Sequence, residues 1–467
     1  MLKRFLLTGI AIVLSLLLAA NPAIADPSIP DTAVEEGWYL HPLGKPNAAD
    51  QPYPVSMAVN PNDGATWISY FEDREDTLWV AHYVGTGGNC GSDYKYQCDE
   101  VGWQTGDGVY NSIAIYPGDG FFATDMTKVG VAYYSNVSGG SLYYGEYNCS
   151  GGLCSWATYL LLLGGYSGLE PSLTFDESGT PWIAFRRYVS GNSNQLWLAH
   201  LVGTGGNCGW GNWQCDTLLT GDFIGNHPSI HVSDNGDLRL LYYYDGNGDD
   251  LEHMWYLTGY PGDCGPSNEW HCVSIDTAND VGYHPSQIYE PQTGIGDGRY
   301  VAYYSYQNGG TIRLAYLVSL DGNCGNVGGI NRWYCMDLTT EVGLPIGGEY
   351  GLVLTHDTQY HPVVLYYDTN GGPSGNGSLM IARRIADLDI PTGNCGMDDG
   401  SYQWQCETFD DGMRVGPPIV YQSVGRYADM EYFGWGDARA VYYNASTQQI
   451  NIMMLDLDKV FLPAIVR

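Results

Sequence analysis

The sequence predicts an all-β fold, a seven-bladed β-propeller with four antiparallel strands per blade, and three observations point to it. An apolar-aromatic segment recurs seven times along the 467 residues. Each copy lies in a unit of roughly 60 residues that holds further strand-like segments, the size of one propeller blade. Six of the seven units carry a cysteine pair at the same place in the pattern. Composition agrees, because 63 Gly, 39 Tyr and 14 Trp with only 15% charged residues suit short strands and tight turns rather than long helices. The 44% of hydrophobic residues can bury a large core, which excludes a disordered chain.

The recurring segments are TWISYF from Thr66, GVAYYS from Gly130, WIAFRR from Trp182, RLLYYY from Arg239, YVAYYS from Tyr300, VVLYYD from Val363 and RAVYYN from Arg439. Polar turns, mostly of Gly, Asn or Asp, separate each from a following strand such as TLWVAHYV or QLWLAHLV. Upstream lies another short strand, starting near Ser56, Ser112, Ser172, Ser229, Ser286, Gly351 and Asp429. These starts are 56, 60, 57, 57, 65 and 78 residues apart.

The fourth strand carries the cysteines. The pairs are Cys90 with Cys98, Cys149 with Cys154, Cys208 with Cys215, Cys264 with Cys272, Cys324 with Cys335, and Cys395 with Cys406. Their spacings run from 5 to 11 and none forms the close array of a structural zinc site. Local disulfides are the stronger reading for an exported chain.

The seventh unit lacks cysteines. A closed propeller completes its last blade with a strand from the other terminus, which removes an open sheet edge. Trp38-Tyr39-Leu40 overlays the Trp-x-Cys of the other fourth strands, with Leu40 in the Cys position, so the N-terminal strand is expected to pair near Ile450 to Leu455.

The N-terminus predicts export. Lys3 and Arg4, the apolar run Phe5 to Ala20 and Ala23-Ile24-Ala25 form a signal peptide over 1–25, with the propeller over 26–458 and a short apolar tail over 459–467. That tail resembles Leu-Pro tails of some bacterial secreted proteins and equally reads as a last strand. Removing Lys3 and Arg4 leaves 17 bases against 52 acids, a mature charge of −35. Such a chain is a poor nucleic-acid partner. No later apolar run is long enough for a membrane span, and a secreted or cell-surface monomer is expected.

Segments such as EPSLTFDESGTPWIAFRRY and HPSIHVSDNGDLRLLYY resemble the secreted sialidase-like propellers with Asp-box (BNR-type) repeats, across essentially the whole mature chain. The motifs are degenerate. Ser172, Asp176, Gly179 and Trp182 have altered spacing, and Ser233-Asp234-Asn235-Gly236 lacks the aromatic residue. The resemblance implies a turn role for these residues and does not carry catalysis, since no Arg-Ile-Pro segment is present and arginines are few.

In an antiparallel blade, the start of strand one and the end of strand two share a face, where function usually lies. The residues expected there are Tyr53, Tyr110, Glu170, His227, His284, Glu349 and Arg426, joined by Arg186, which interrupts a column of tyrosine pairs at the end of strand two. Together they form the candidate ligand-binding set at the channel mouth. Carboxylate and imidazole groups converging there can hold a divalent metal, bind hydroxyls or exchange protons. The plainer alternatives are a structural Glu170–Arg186 ion pair and tyrosines that pack blades. Asp245-Gly246-Asn247-Gly248-Asp249-Asp250 lacks the full spacing of a calcium loop and reads as a solvated turn.

Two function classes remain. One is a secreted, noncatalytic binding propeller for glycans or another extracellular polymer. The other is a glycoside hydrolase or sialidase-like enzyme, with Glu170 and Glu349 as its carboxylates.

Overall fold

Seven antiparallel blade sheets follow one another along the chain, and in the first four the strands run in chain order from the inside outward. The inner strands are Val55–Val59, Asp107–Tyr116, Ser167–Phe175, Asn226–Val232, Val281–Tyr289, Leu352–His356 and Val424–Phe433. All seven contribute to the wall of one central cavity, which makes the assembly a seven-bladed propeller. This computed structural model describes residues 38–46 and, with short internal gaps, 54–455; the expected signal peptide and C-terminal tail lie outside the described residues. The described residues belong to one compact unit.

The last blade closes as its sequence predicts. Trp38–Pro46 pairs antiparallel with Gln449–Leu455, with Trp38 opposite Leu455 and Leu40 opposite Met453. In the fourth blade Cys272 sits opposite Met254, so Leu40 occupies the cysteine register. Its side chain enters a core shared with Met430, Ala440 and Met453.

The aromatic segments form the second strand of each blade. Thr66–Glu72 is buried along its whole length, because the blades on either side cover both faces of the sheet. This explains why the segments read as unbroken apolar runs rather than as alternation. The hydrophobic clusters straddle seams: Ala302 and Tyr304 of blade five pack with Leu354, Val364 and Trp404 of blade six. The tyrosine pairs are packing residues; Tyr303 donates to Asp276 Oδ2 at 2.6 Å and Tyr442 donates to Asp410.

A serine ladder ties the inner strands together. Ser56 Oγ accepts from Ile113 N, Ser112 Oγ from Leu173 N, Ser172 Oγ from Ile230 N and Ser286 Oγ from Leu354 N, at 2.9–3.2 Å. At the closing seam the same position is a carboxylate, and Asp429 Oδ2 accepts from Met57 N at 2.8 Å. Glu431 accepts from Val59 N at 2.6 Å beside it.

All six expected disulfides are present and none of the twelve cysteines is free. Each pair staples a hairpin between the third and fourth strands. In five blades an Asn or Asp just before the first cysteine braces the second: Asn207 Oδ1 accepts from Cys215 N at 2.7 Å and Asn207 Nδ2 donates to Cys215 O at 2.8 Å. Gly206 precedes that Asn because any Cβ there would strike the Trp213 carbonyl. The two longest cysteine loops, each with a separation of 11, add a short fifth strand, Cys324–Val327 in blade five and Cys395–Asp398 in blade six.

Candidate functional site

The inner strands converge on a cavity of about 640 Å³. Its mouth is set by one repeated backbone feature. Glu170, His227, His284 and Tyr427, each two residues before the ladder position, have φ of 53°, 49°, 49° and 51°. Side chains larger than glycine rarely adopt this left-handed conformation, and its cost concentrates at sites where geometry serves function. A register shift accompanies each, between Leu169 and Ser172 in blade three and between Arg426 and Asp429 in blade seven.

The ladder also fixes which residues are equivalent from blade to blade. In blade seven the cavity position belongs to Tyr427; Arg426, one residue earlier, pairs with Tyr443 and lays its guanidinium over Tyr367, 6.0 Å from the ring centroid. The bulge on this strand is the reason, since it rotates successive side chains away from simple alternation. In blade six, Leu354 N donates to Ser286, so Val353 holds the ladder position and Gly351 the place expected of Glu349. In blade one the place two before Ser56 is Pro54, not Tyr53. Glu349 and Tyr53 themselves lie outside the described residues. Tyr110, Glu170, His227 and His284 do line the cavity together.

The polar arc spans blades three to five. Arg186, midway along the second strand of blade three, donates from Nη2 to Glu170 Oε1 at 2.7 Å and from Nε to Oε2 at 3.4 Å. His227 N donates to Glu170 Oε2 at 2.7 Å across the seam. Burial opposes the charge on Glu170, but His227, Arg186 and the hydrogen bonds they donate outweigh it and hold the carboxyl well below its usual range. Arg186 is therefore structural towards Glu170 and is not itself part of the cavity wall. The His227 ring stacks on His284 with centroids 3.7 Å apart. Burial lowers the pKa of both imidazoles; Glu170 partly offsets this in each, while neighbouring charge, Arg186 for His227 and His227 for His284, adds to it. Both rings are neutral near pH 7 and able to donate and accept hydrogen bonds.

The remaining arc, from Leu352 and Val353 through Ala428 to Pro54, Val55 and Val109, is largely apolar. Asp429, which sequence reasoning placed only as a strand start, is the other carboxylate among the described lining residues. Its Oδ2 accepts from Met57 N and its Oδ1 from Met430 N, both at 2.8 Å. Among the described residues, no three His, Cys, Asp or Glu side chains are grouped to hold a metal ion.

Away from the cavity, Asp176 closes the turn between the first two strands of blade three. Its Oδ1 accepts from Ser178 N and Thr180 N, each at 2.9 Å, and its Oδ2 from Trp182 Nε1 at 3.0 Å. Asp357 makes the same kind of turn in blade six, accepting from Gln359 N and His361 N.

No protein-family model matches the chain, and a search of curated proteins returns no match. Solved structures similar to it include a lectin from Burkholderia pseudomallei, at 11% identity over 87% of this chain and 96% of that one, with a TM-score of 0.48. AofleA from Arthrobotrys oligospora is similar at 10% identity over 79% and 89%, with a TM-score of 0.43. The NanB sialidase from Streptococcus pneumoniae is similar at 9% identity over 84% of each chain, also with a TM-score of 0.43. The propeller fold itself rests on the strand pairings above.

Proposed function

We propose that this protein is a secreted, noncatalytic binding propeller whose axial cavity takes a neutral, hydroxyl-rich ligand of the glycan type. The observation that carries this reading is the state of the two carboxylates among the described cavity residues. Glu170 has both oxygens engaged by Arg186 and the His227 amide, and Asp429 has both engaged by backbone amides. Glycoside hydrolysis needs one carboxyl to deliver a proton and a second free to attack or to activate water. Glu170 stays ionised, and Asp429 is committed to closing the ring.

What the cavity offers a ligand is neutral: two imidazoles, Tyr110, Tyr427 and the ladder serines. An apolar arc opposite this polar one suits a ring with one hydroxyl edge and one C–H face. The six disulfides fit an oxidising compartment, in line with the expected signal peptide. A glycan and polysaccharide binding screen on the mature protein, read in parallel for hydrolysis, tests the reading. Binding without product release, weakened by His227→Ala, supports it; turnover abolished by Glu170→Gln overturns it.

A further inference from the structure

One seam of the ring is packed differently from the others. In six blades the middle of the third strand turns a large apolar or aromatic residue towards the next blade, namely Val80, Tyr144, Leu198, Leu314, Ile381 and Ile452. Blade four places His253 there, opposite Leu241 and only 2% exposed. An imidazole thus stands where the pattern calls for hydrocarbon.

His253 lines a small cavity of about 10 Å³ in the seam between blades four and five, the room of one water-sized sphere. Blade four supplies His231, Arg239 and His253 from one face of its sheet, since Arg239 pairs with His231 and lies two residues before Leu241, the partner of His253. Blade five supplies Arg299, which pairs with Tyr289, and Gln287, which pairs with Val301. These two faces touch. Leu241 and Val301 belong to one buried cluster, the Arg239 guanidinium lies over the Tyr289 ring, 5.4 Å from its centroid, and His253 meets Trp333 edge-on at 5.9 Å.

The charge in this seam is of one sign. Burial keeps His253 neutral, and the charges of Arg299 and Arg239 push its pKa the same way, well below the usual range. Arg239 is 5% exposed and meets Asp237 at 3.8 Å, but neither Asp nor Glu is among the described residues that line the cavity. Gln287 Nε2 donates to Ser229 O at 2.7 Å, and His253 Nδ1 has no hydrogen-bond partner among the described residues. Guanidinium groups stay charged at any ordinary pH, and two of them facing one low-dielectric space repel each other unless an anion lies between them.

We propose that this cavity is a binding site for a single chloride ion, held between Arg239, Arg299 and His253 and tying blade four to blade five. Its size selects the class of anion, because a tetrahedral oxyanion such as sulfate needs more room. Arginine donors and a neutral imidazole N–H suit a monatomic acceptor. The site does not depend on the axial reading, since none of its residues lines the axial cavity.

Thermal unfolding of the mature protein at constant ionic strength, with chloride replacing gluconate step by step, reads the site. Once chloride exceeds its dissociation constant, Tm is expected to rise by about 1 to 2 °C for each ten-fold increase. Arg299→Met is expected to abolish that slope. Crystals of the unaltered protein grown in sodium bromide give a readout that needs no variant, and an anomalous difference peak is expected between Arg239, Arg299 and His253. Equal Tm in both salts, a slope that survives Arg299→Met, or bromide found only on the outer surface overturns the proposal.

Discussion

His227 and His284, from consecutive blades, stack with ring centroids 3.7 Å apart, and the backbone amide of His227 anchors Glu170 of the blade before. Three blades thus share one polar arc, fixed by left-handed residues at the same position in each. A ligand that meets this arc meets neutral imidazoles and a carboxylate already satisfied.

Breaking the ion pair isolates a buried carboxylate. Arg186→Met should destabilise the fold by about 3 kcal/mol, because it leaves Glu170 charged with one partner fewer. Adding Glu170→Gln should restore part of the loss. Urea denaturation of the single and double variants measures this; full additivity of the two losses would contradict the pairing.

Stability should fall as pH rises from mildly acidic to alkaline. Burial raises Asp429 to about 6 and Glu252 to about 7, and burial with the Asp429 charge raises Glu431 to about 8. A folded pKa above the unfolded value means the stabilisation is complete below the ordinary carboxylate range and is lost as pH climbs through these values. Glu170 acts oppositely, its contribution being lost only in acid, below the ordinary range. Tm should therefore be higher at about pH 5.5 than at about pH 8.5, and Glu431→Gln should shrink the difference. A Tm that rises across that interval would contradict the assignment.

Ring closure rests on Leu40. Leu40→Ala should cost about 2 to 3 kcal/mol, the usual loss for a buried leucine in a core of this kind. Thermal unfolding measures it, and an unchanged Tm would mean that the N-terminal strand does not close the ring.

Removing one staple should act locally. Cys208→Ala with Cys215→Ala should cost about 2 kcal/mol, since the bridge closes a short loop, and hydrogen exchange should rise in that hairpin before the rest of blade three. Uniform loosening across all blades would argue against independent hairpins.

The strand order, blade number, ring closure and disulfides were legible because each is a local pattern repeated six or seven times. TWISYF and its six counterparts mark a strand covered on both faces, and Trp38-Tyr39-Leu40 follows the Trp-x-Cys of other fourth strands with Leu40 in the cysteine position. The site was only partly legible. Glu170, His227 and His284 could be counted from Ser172, Ser229 and Ser286, with a proline between each pair. Tyr427 and Gly351 could not, because blades six and seven replace the ladder serine by Val353 and Asp429 and lack the preceding proline, so register shifts are invisible in the text of the chain. The extra strands Cys324–Val327 and Cys395–Asp398 were missed for a related reason: only the length of the cysteine loop signals them.

The central claim is that the axial cavity binds a neutral saccharide and does not cleave it. A crystal of the mature protein soaked with the best ligand from a glycan screen tests this most directly. The account predicts an intact saccharide in the cavity, with hydroxyls on His227 and His284 and a C–H face on the Leu352 and Val353 arc. Cleaved product there, or ligand bound only elsewhere, would contradict it.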